Sequence, residues 1–322
     1  MPAELAFISL GLVVILISGD LLVRGAVCLA TAFAVPRLVV SLTVVAFGTS
    51  APEFFVAIKS VLNGHPGIAE GSIVGANIAN VLLVLGLPAL IFPISAKTAG
   101  LRQHVVALLM ATGAFTAIAY SLRSLGSVAG AALFAGVIVY IAYVWRRATQ
   151  GARDDPVVDE VEEYAEEKKV TATTLLYILG GVVGLPIGAG LLTDHGATLA
   201  GIAGVREEII GLGIVAFGTS LPELATVLAA AFRKKSDVAM GGAIGSSIFN
   251  ILAVGGAAGL AGGFAFSEPS LRFEIPVMLA ATALVALFAW VRRDIGRGAG
   301  LLMTAAYLAF MFALLLFAGS GS

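Results

Sequence analysis

Apolar runs, each near the roughly 20 residues that a bilayer-crossing helix requires, follow one another along the chain with short polar stretches between them. They predict ten helices, near 4–32, 38–62, 68–92, 102–121, 127–145, 172–200, 207–231, 238–262, 273–291 and 299–318. The stretch RRATQGARDDPVVDEVEEYAEEKK at 146–169 interrupts the pattern. It holds eight of the chain's twenty acidic residues among several basic ones, so it belongs in water and divides five spans from five. The expected fold is an all-α integral membrane protein of about ten transmembrane helices. Its expected units are a first five-helix repeat over 1–145, an acidic cytoplasmic linker over 146–170 and a second, inverted five-helix repeat over 171–322.

The two halves share sequence as well as hydropathy. VAFGTSAPE at 45–53 and VAFGTSLPE at 215–223 are identical at eight of nine positions and lie 170 residues apart. At the same offset GANIAN (75–80) meets GSSIFN (245–250), and at an offset of 171 GDLLVRGA (19–26) meets GLLTDHGA (190–197). A repeat with an odd number of spans places its second copy upside down in the bilayer, related to the first by a pseudo-two-fold axis in the membrane plane.

Composition agrees. Of the 322 residues 59% are hydrophobic and 12% charged, and the mean hydropathy is +1.02, far from a soluble domain. A net charge of −1 argues against a nucleic-acid partner, and the single cysteine, Cys28, excludes an internal disulfide or a thiolate cluster. The N-terminal run lacks the basic region and small-residue cleavage site of a signal peptide and reads as the first span. Lysine and arginine divide four (Lys59, Arg123, Arg206, Arg272) on the side of the N-terminus against fourteen on the other, with Arg24 alone inside a span. The positive-inside rule then puts both termini outside and the linker in the cytoplasm. An inner or plasma membrane fits this chain.

The repeated motif carries the chemistry. Pro52 has no N–H for the carbonyl of Gly48, so the second span should kink or unwind over 46–50, and Thr49, Ser50 and Glu53 supply oxygens at the break. Thr219, Ser220, Pro222 and Glu223 repeat the set. Near mid-membrane each ionised carboxylate costs about 2.5–3.5 kcal/mol on insertion scales, so two of them call for a cation. Asn80 and Asn250 add amide oxygens on helices whose Gly75 and Gly245 permit close packing. Donors that are all oxygen, with no histidine or cysteine, favour a hard cation and Ca²⁺ above Mg²⁺. A single Pro-Glu could be a structural kink and a lone asparagine interhelical glue; the duplication in inverted repeats outweighs both. Asp20 and Arg24 are spaced to form an i,i+4 pair that hides both charges, Asp194 and His195 to be interfacial, and the linker's acidic run to be solvated.

G-T-S-x-P-E twice, each followed by a G-(S/A)-(N/S)-I-x-N helix, resembles the two α-repeats of the cation/Ca²⁺ exchanger superfamily in its Na⁺/Ca²⁺ exchanger branch, over nearly the whole chain. The resemblance implies that Glu53 and Glu223 bind ions directly. Around them it sets Thr49, Ser50, Thr219, Ser220, Ser246, Asn80, Asn250 and the carbonyls of Ala46 and Ala216. It implies Ca²⁺ and Na⁺ as transported substrates, the lipid bilayer as surroundings, and no resident cofactor. Several members have aspartate at the position of Asn250 and serine at that of Ala76, and the H⁺/Ca²⁺ branch typically carries G-N-x-x-E in the motif. The expected activity is therefore export of Ca²⁺ in exchange for Na⁺ by alternating access at a midplane site, with the first and sixth spans moving. The alternatives are an H⁺- or K⁺-coupled exchanger of the same fold and, in another class, a Ca²⁺-selective channel. No H-E-x-x-H and no serine placed with a base supports an intramembrane enzyme. With charge −2 from two glutamates, one Ca²⁺ or two Na⁺ reach neutrality, so exchange should be close to electroneutral.

Overall fold

The structure, a computed structural model, describes residues 2–32, 49–97, 100–149, 171–232 and 236–319. In the first half these form α1 (Pro2–Ala32), α2 (Ala51–Leu62) and α3 (Pro66–Ala79), which runs through a π-helical turn, π1 (Asn80–Leu85), into α4 (Gly86–Ile91); α5 (Leu101–Leu122) and α6 (Ser127–Thr149) follow. The second half begins with α7 (Ala172–Ala203). A broken helix comes next, made of α8 (Glu207–Ile210), π2 (Gly211–Val215), α9 (Ala216–Thr219) and α10 (Leu221–Phe232). Then come α11 (Ser236–Phe249), π3 (Asn250–Val254), α12 (Gly255–Leu260), π4 (Ser270–Glu274), α13 (Ile275–Val291) and α14 (Arg297–Gly319). Nine stretches among the described residues are long and apolar enough to cross a membrane. α2 is the described part of the second predicted span, 38–62, most of whose earlier residues lie outside the described ones.

Element boundaries match across the halves at the sequence offset, and so do the contacts between them. α1 and α7 lie antiparallel, with Gly11 on the Gly188 backbone near one end and Gly181 on Ser18 and Leu22 farther along. A β-carbon at Gly130 of α6 would stand 2.8 Å from the backbone of Gly256 and Gly259 in α12, and one at Gly300 of α14 would stand 2.7 Å from the Gly86 carbonyl of α4. Small residues thus let backbones from opposite halves touch, as van der Waals packing in a membrane requires. Turns meet in the same way. Leu125 pairs with Phe264 in a two-stranded antiparallel ladder (β1, Ser124–Leu125; β2, Phe264–Ala265), and the offset carries that pair onto the bridge between Ile295 and Ile94. Each bridge has an ion pair beside it, Arg123 to Glu268 at 2.6 Å and Lys97 to Asp294 at 3.1 Å, with the signs exchanged. Desolvation works to raise the Asp294 carboxyl, yet hydrogen bonds from Lys97 and Ser95 hold it below its ordinary value.

Burial separates two regions. The larger core joins α3 to α6 with α11 to α14. A smaller one joins α1 and α7 to Ala51, Val56, Ile68, Ile210 and Val215. Asp20 and Arg24 form the expected i,i+4 pair at 2.7 Å, although both side chains stay half-exposed instead of hidden. Asp194 accepts a hydrogen bond from Asn63 at 2.8 Å and His195 pairs with Glu4 at 2.6 Å, both in the last third of α7.

Candidate metal centre

The helix breaks lie where the proline predicts, one residue before the new helix begins. Ser50 (φ −86°, ψ 4°) and Ser220 (φ −81°, ψ 2°) share one non-helical conformation. Pro52 and Pro222 then occupy the second position of α2 and α10, where a missing N–H leaves no intrahelical bond unmade. Glu53 and Glu223 follow in the first turn, at the positive end of the helix dipole, which favours a carboxylate.

Across the seam between halves the donors converge. The Thr49 and Ser246 hydroxyls stand 3.4 Å apart. The Glu53 carboxylate faces the Thr219 hydroxyl across the seam, and that hydroxyl also lies 3.0 Å from the Val215 carbonyl of its own helix. α2, which carries Glu53, packs on π3, and Asn250 heads π3; α10, which carries Glu223, packs on π1, and Asn80 heads π1. π-helical turns are rare and concentrate at functional sites.

Thr49, Ser50, Glu53, Asn80, Thr219, Ser220, Glu223, Ser246 and Asn250 are all buried, four of them (Glu53, Asn80, Thr219, Asn250) with 0% accessible surface. The Glu53 oxygens, the Ser50 and Ser220 hydroxyls and both amide atoms of Asn80 and Asn250 make no hydrogen bond. Buried polar atoms of this kind cost free energy unless a partner satisfies them, and this oxygen set is one that a hard cation satisfies. No three His, Cys, Asp or Glu side chains among the described residues converge on a metal. The acids come as a pair, and amides and hydroxyls make up the rest.

The Ala216 carbonyl accepts the Ser220 N–H at 3.1 Å, and Pro222 leaves the Gly218 carbonyl, four residues before it, without an intrahelical donor. Ala46 lies outside the described residues. The structure also adds oxygens that the sequence reading passed over. Asn77 donates to the Ile73 carbonyl at 2.8 Å and leaves its own buried oxygen unpartnered. Ser247, 170 residues on, is buried with its hydroxyl unpartnered. Both sit inside the GANIAN and GSSIFN blocks, whose alignment was the signal. A cavity of about 500 Å³ between α1 and α10, lined by Gly19, Asp20, Thr49 and Pro222 among others, leads to the seam.

The sequence profile of the sodium/calcium exchanger protein family matches residues 4–147 and 173–316, one match in each half. Inner membrane protein YrbG of Escherichia coli is 30% identical over 95% of this chain and 95% of its own length. Sodium/calcium exchanger MaX1 of Methanosarcina acetivorans is 30% identical over 95% of this chain and 96% of its own. Among solved structures, the sodium-calcium exchanger NCX_Mj, soaked with Na⁺ and Sr²⁺, superposes with a TM-score of 0.66 at 28% identity, covering 95% of this chain and 96% of that one.

Proposed function

Because this chain belongs to the sodium/calcium exchanger family, we propose that it exports Ca²⁺ from the cytoplasm in exchange for Na⁺ by alternating access at a midplane site made of Glu53, Glu223 and the oxygens around them. Family and fold are those of a Ca²⁺ antiporter and not of an enzyme. The observation that carries the proposal is the buried oxygen set at the seam, with donors from both halves and carboxylates at two helix N-termini. Two carboxylates are neutralised either by one Ca²⁺ or by monovalent ions, and the two occupancies exclude each other. An empty site of charge −2 in low dielectric is costly to move, which suppresses uncoupled leak. The α1 and α7 pair, packed on its own small core and bordering the cavity at Thr49, is the part suited to move.

Uptake of ⁴⁵Ca²⁺ into proteoliposomes under opposed Na⁺, K⁺ and pH gradients is the test. Stimulation by Na⁺ is the expected result; stimulation by a pH gradient alone would make the protein an H⁺ exchanger, and flux with no counter-ion would make it a channel. The sequence division at 146–170 and the charge split support a cytoplasmic linker with both termini outside, in an inner membrane such as the one named for the Escherichia coli relative. In a Cys28-free background, Ala152→Cys should resist an impermeant thiol reagent applied to intact cells and react after lysis. Labelling from outside would reverse the orientation.

A further inference from the structure

Acidic residues also gather at the membrane face that carries the α2–α3 and α7–α8 turns. Glu70 of α3 and Glu274 of π4 are each 1% exposed. Each spends one oxygen on the protein: Glu70 accepts the Ser267 N–H at 3.3 Å, and Glu274 accepts from Arg206 at 3.5 Å. Their other oxygens have no partner. Ser270 is fully buried beside both carboxylates, its hydroxyl within reach of each and in ideal hydrogen-bond geometry to neither. Glu208 lies within electrostatic reach of both and is turned toward Arg206 at 3.9 Å. Arg206 thus meets Glu208 and Glu274, while Glu70 lies within electrostatic reach of both acids. At the opposite membrane face the positions that match Glu70, Glu274 and Ser270 are Met240, His104 and Gly100. The cluster is therefore no part of the scaffold that the two halves share.

We propose that Glu70 and Glu274, with the Ser270 hydroxyl between them, form a second site for a hard divalent cation, separate from the seam between the halves. Two carboxylates and a hydroxyl close the unpartnered valences on the cation, and its charge balances the excess of two negative charges over Arg206. Few protein ligands mean that the ion keeps part of its water, so occupancy belongs to the weak, millimolar end of the Ca²⁺ range. Glu70 lies about 15 Å along the helix axis from Asn80, and Asn77, seven residues on from Glu70, shares its face of α3.

The test is equilibrium ⁴⁵Ca²⁺ binding to the purified full-length protein carrying Glu53→Gln and Glu223→Gln, which disables the seam and leaves the second site. Binding at millimolar Ca²⁺ should persist, and adding Glu70→Gln with Glu274→Gln should abolish it. Ser270→Ala, which alters no charge and guards against a folding defect, should raise the half-saturating concentration several-fold. Absence of Ca²⁺ binding in the Glu53→Gln/Glu223→Gln protein would overturn the proposal, as would binding indifferent to the added substitutions or to Ser270→Ala. Failure of the seam reading shows itself separately, as wild-type Ca²⁺ binding unchanged by Glu53→Gln with Glu223→Gln.

Discussion

Thr49 and Thr219 hold matching places in the two halves, but only Thr49 finds a hydroxyl across the seam. Its partner is Ser246 at 3.4 Å. The position that matches Ser246 is Ala76, and the Thr219 hydroxyl instead lies against the Glu53 carboxylate and the Val215 carbonyl. Carboxylates and amides are repeated faithfully, with Glu53 and Glu223, Asn80 and Asn250 all buried. The two halves thus share the groups that set charge and differ by one hydroxyl. Total charge at the seam governs what a divalent ion meets, whereas the count of hydroxyls governs how many monovalent ions find a full shell.

The largest effect should come from breaking the half of the comparison that is equal. Glu53→Gln and Glu223→Gln should each abolish ⁴⁵Ca²⁺ exchange in proteoliposomes while the protein remains folded. Removing one member of a compensated buried charge set costs about 3–5 kcal/mol, a hundredfold or more in affinity. Near-normal flux in either variant would mean that the halves do not share one site. A smaller effect should follow from making the asparagines unequal. Asn250→Asp takes the empty site from charge −2 to −3, so a third Na⁺ becomes the neutralising ion. Flux measured at clamped potential should be nearly voltage-independent in the parent, with a Na⁺ Hill coefficient near two, and should become voltage-dependent in Asn250→Asp. Strong voltage dependence in the parent would refute the two-for-one count. The smallest change restores the missing hydroxyl. Ala76→Ser should strengthen Na⁺ inhibition of Ca²⁺ binding by up to about 1 kcal/mol, the net worth of one neutral ligand contact, and leave Ca²⁺ affinity nearly unchanged. Equal shifts for both ions would show that position 76 lies outside the monovalent shell.

What could be read in advance follows from how each feature is encoded. The helix breaks at Ser50 and Ser220 were legible because proline acts on its own backbone, whatever surrounds it. Span boundaries were legible from hydropathy: 102–121 became Leu101–Leu122, and 172–200 became Ala172–Ala203. π1 and π3 were not, because a π turn depends on one extra residue in a helical repeat and leaves no mark in the apolar pattern; Asn80 and Asn250 were noticed as donors, not as the first residues of those turns. Glu70 and Glu274 announced themselves by the same rule that singled out Glu53, an acid inside an apolar run. They went unread because no repeat mate drew attention to them.

The bridges between Ile94 and Ile295 and between Leu125 and Phe264 bear on how the chain is made. Each joins a turn that leaves the ribosome early to one that leaves it late, and the grooves at Gly86 and Gly130 wait for α14 and α12 in the same way. During synthesis the first half therefore enters the bilayer with its closest packing partners still untranslated. Long-range pairing of this kind is slow and leaves surfaces open to wrong partners. A second nascent first half would offer the same open glycine grooves. Biogenesis of this transporter is thus a race between the arrival of its own second half and capture by a stranger's first, and a chain severed in the linker should regain transport only when both pieces are translated together.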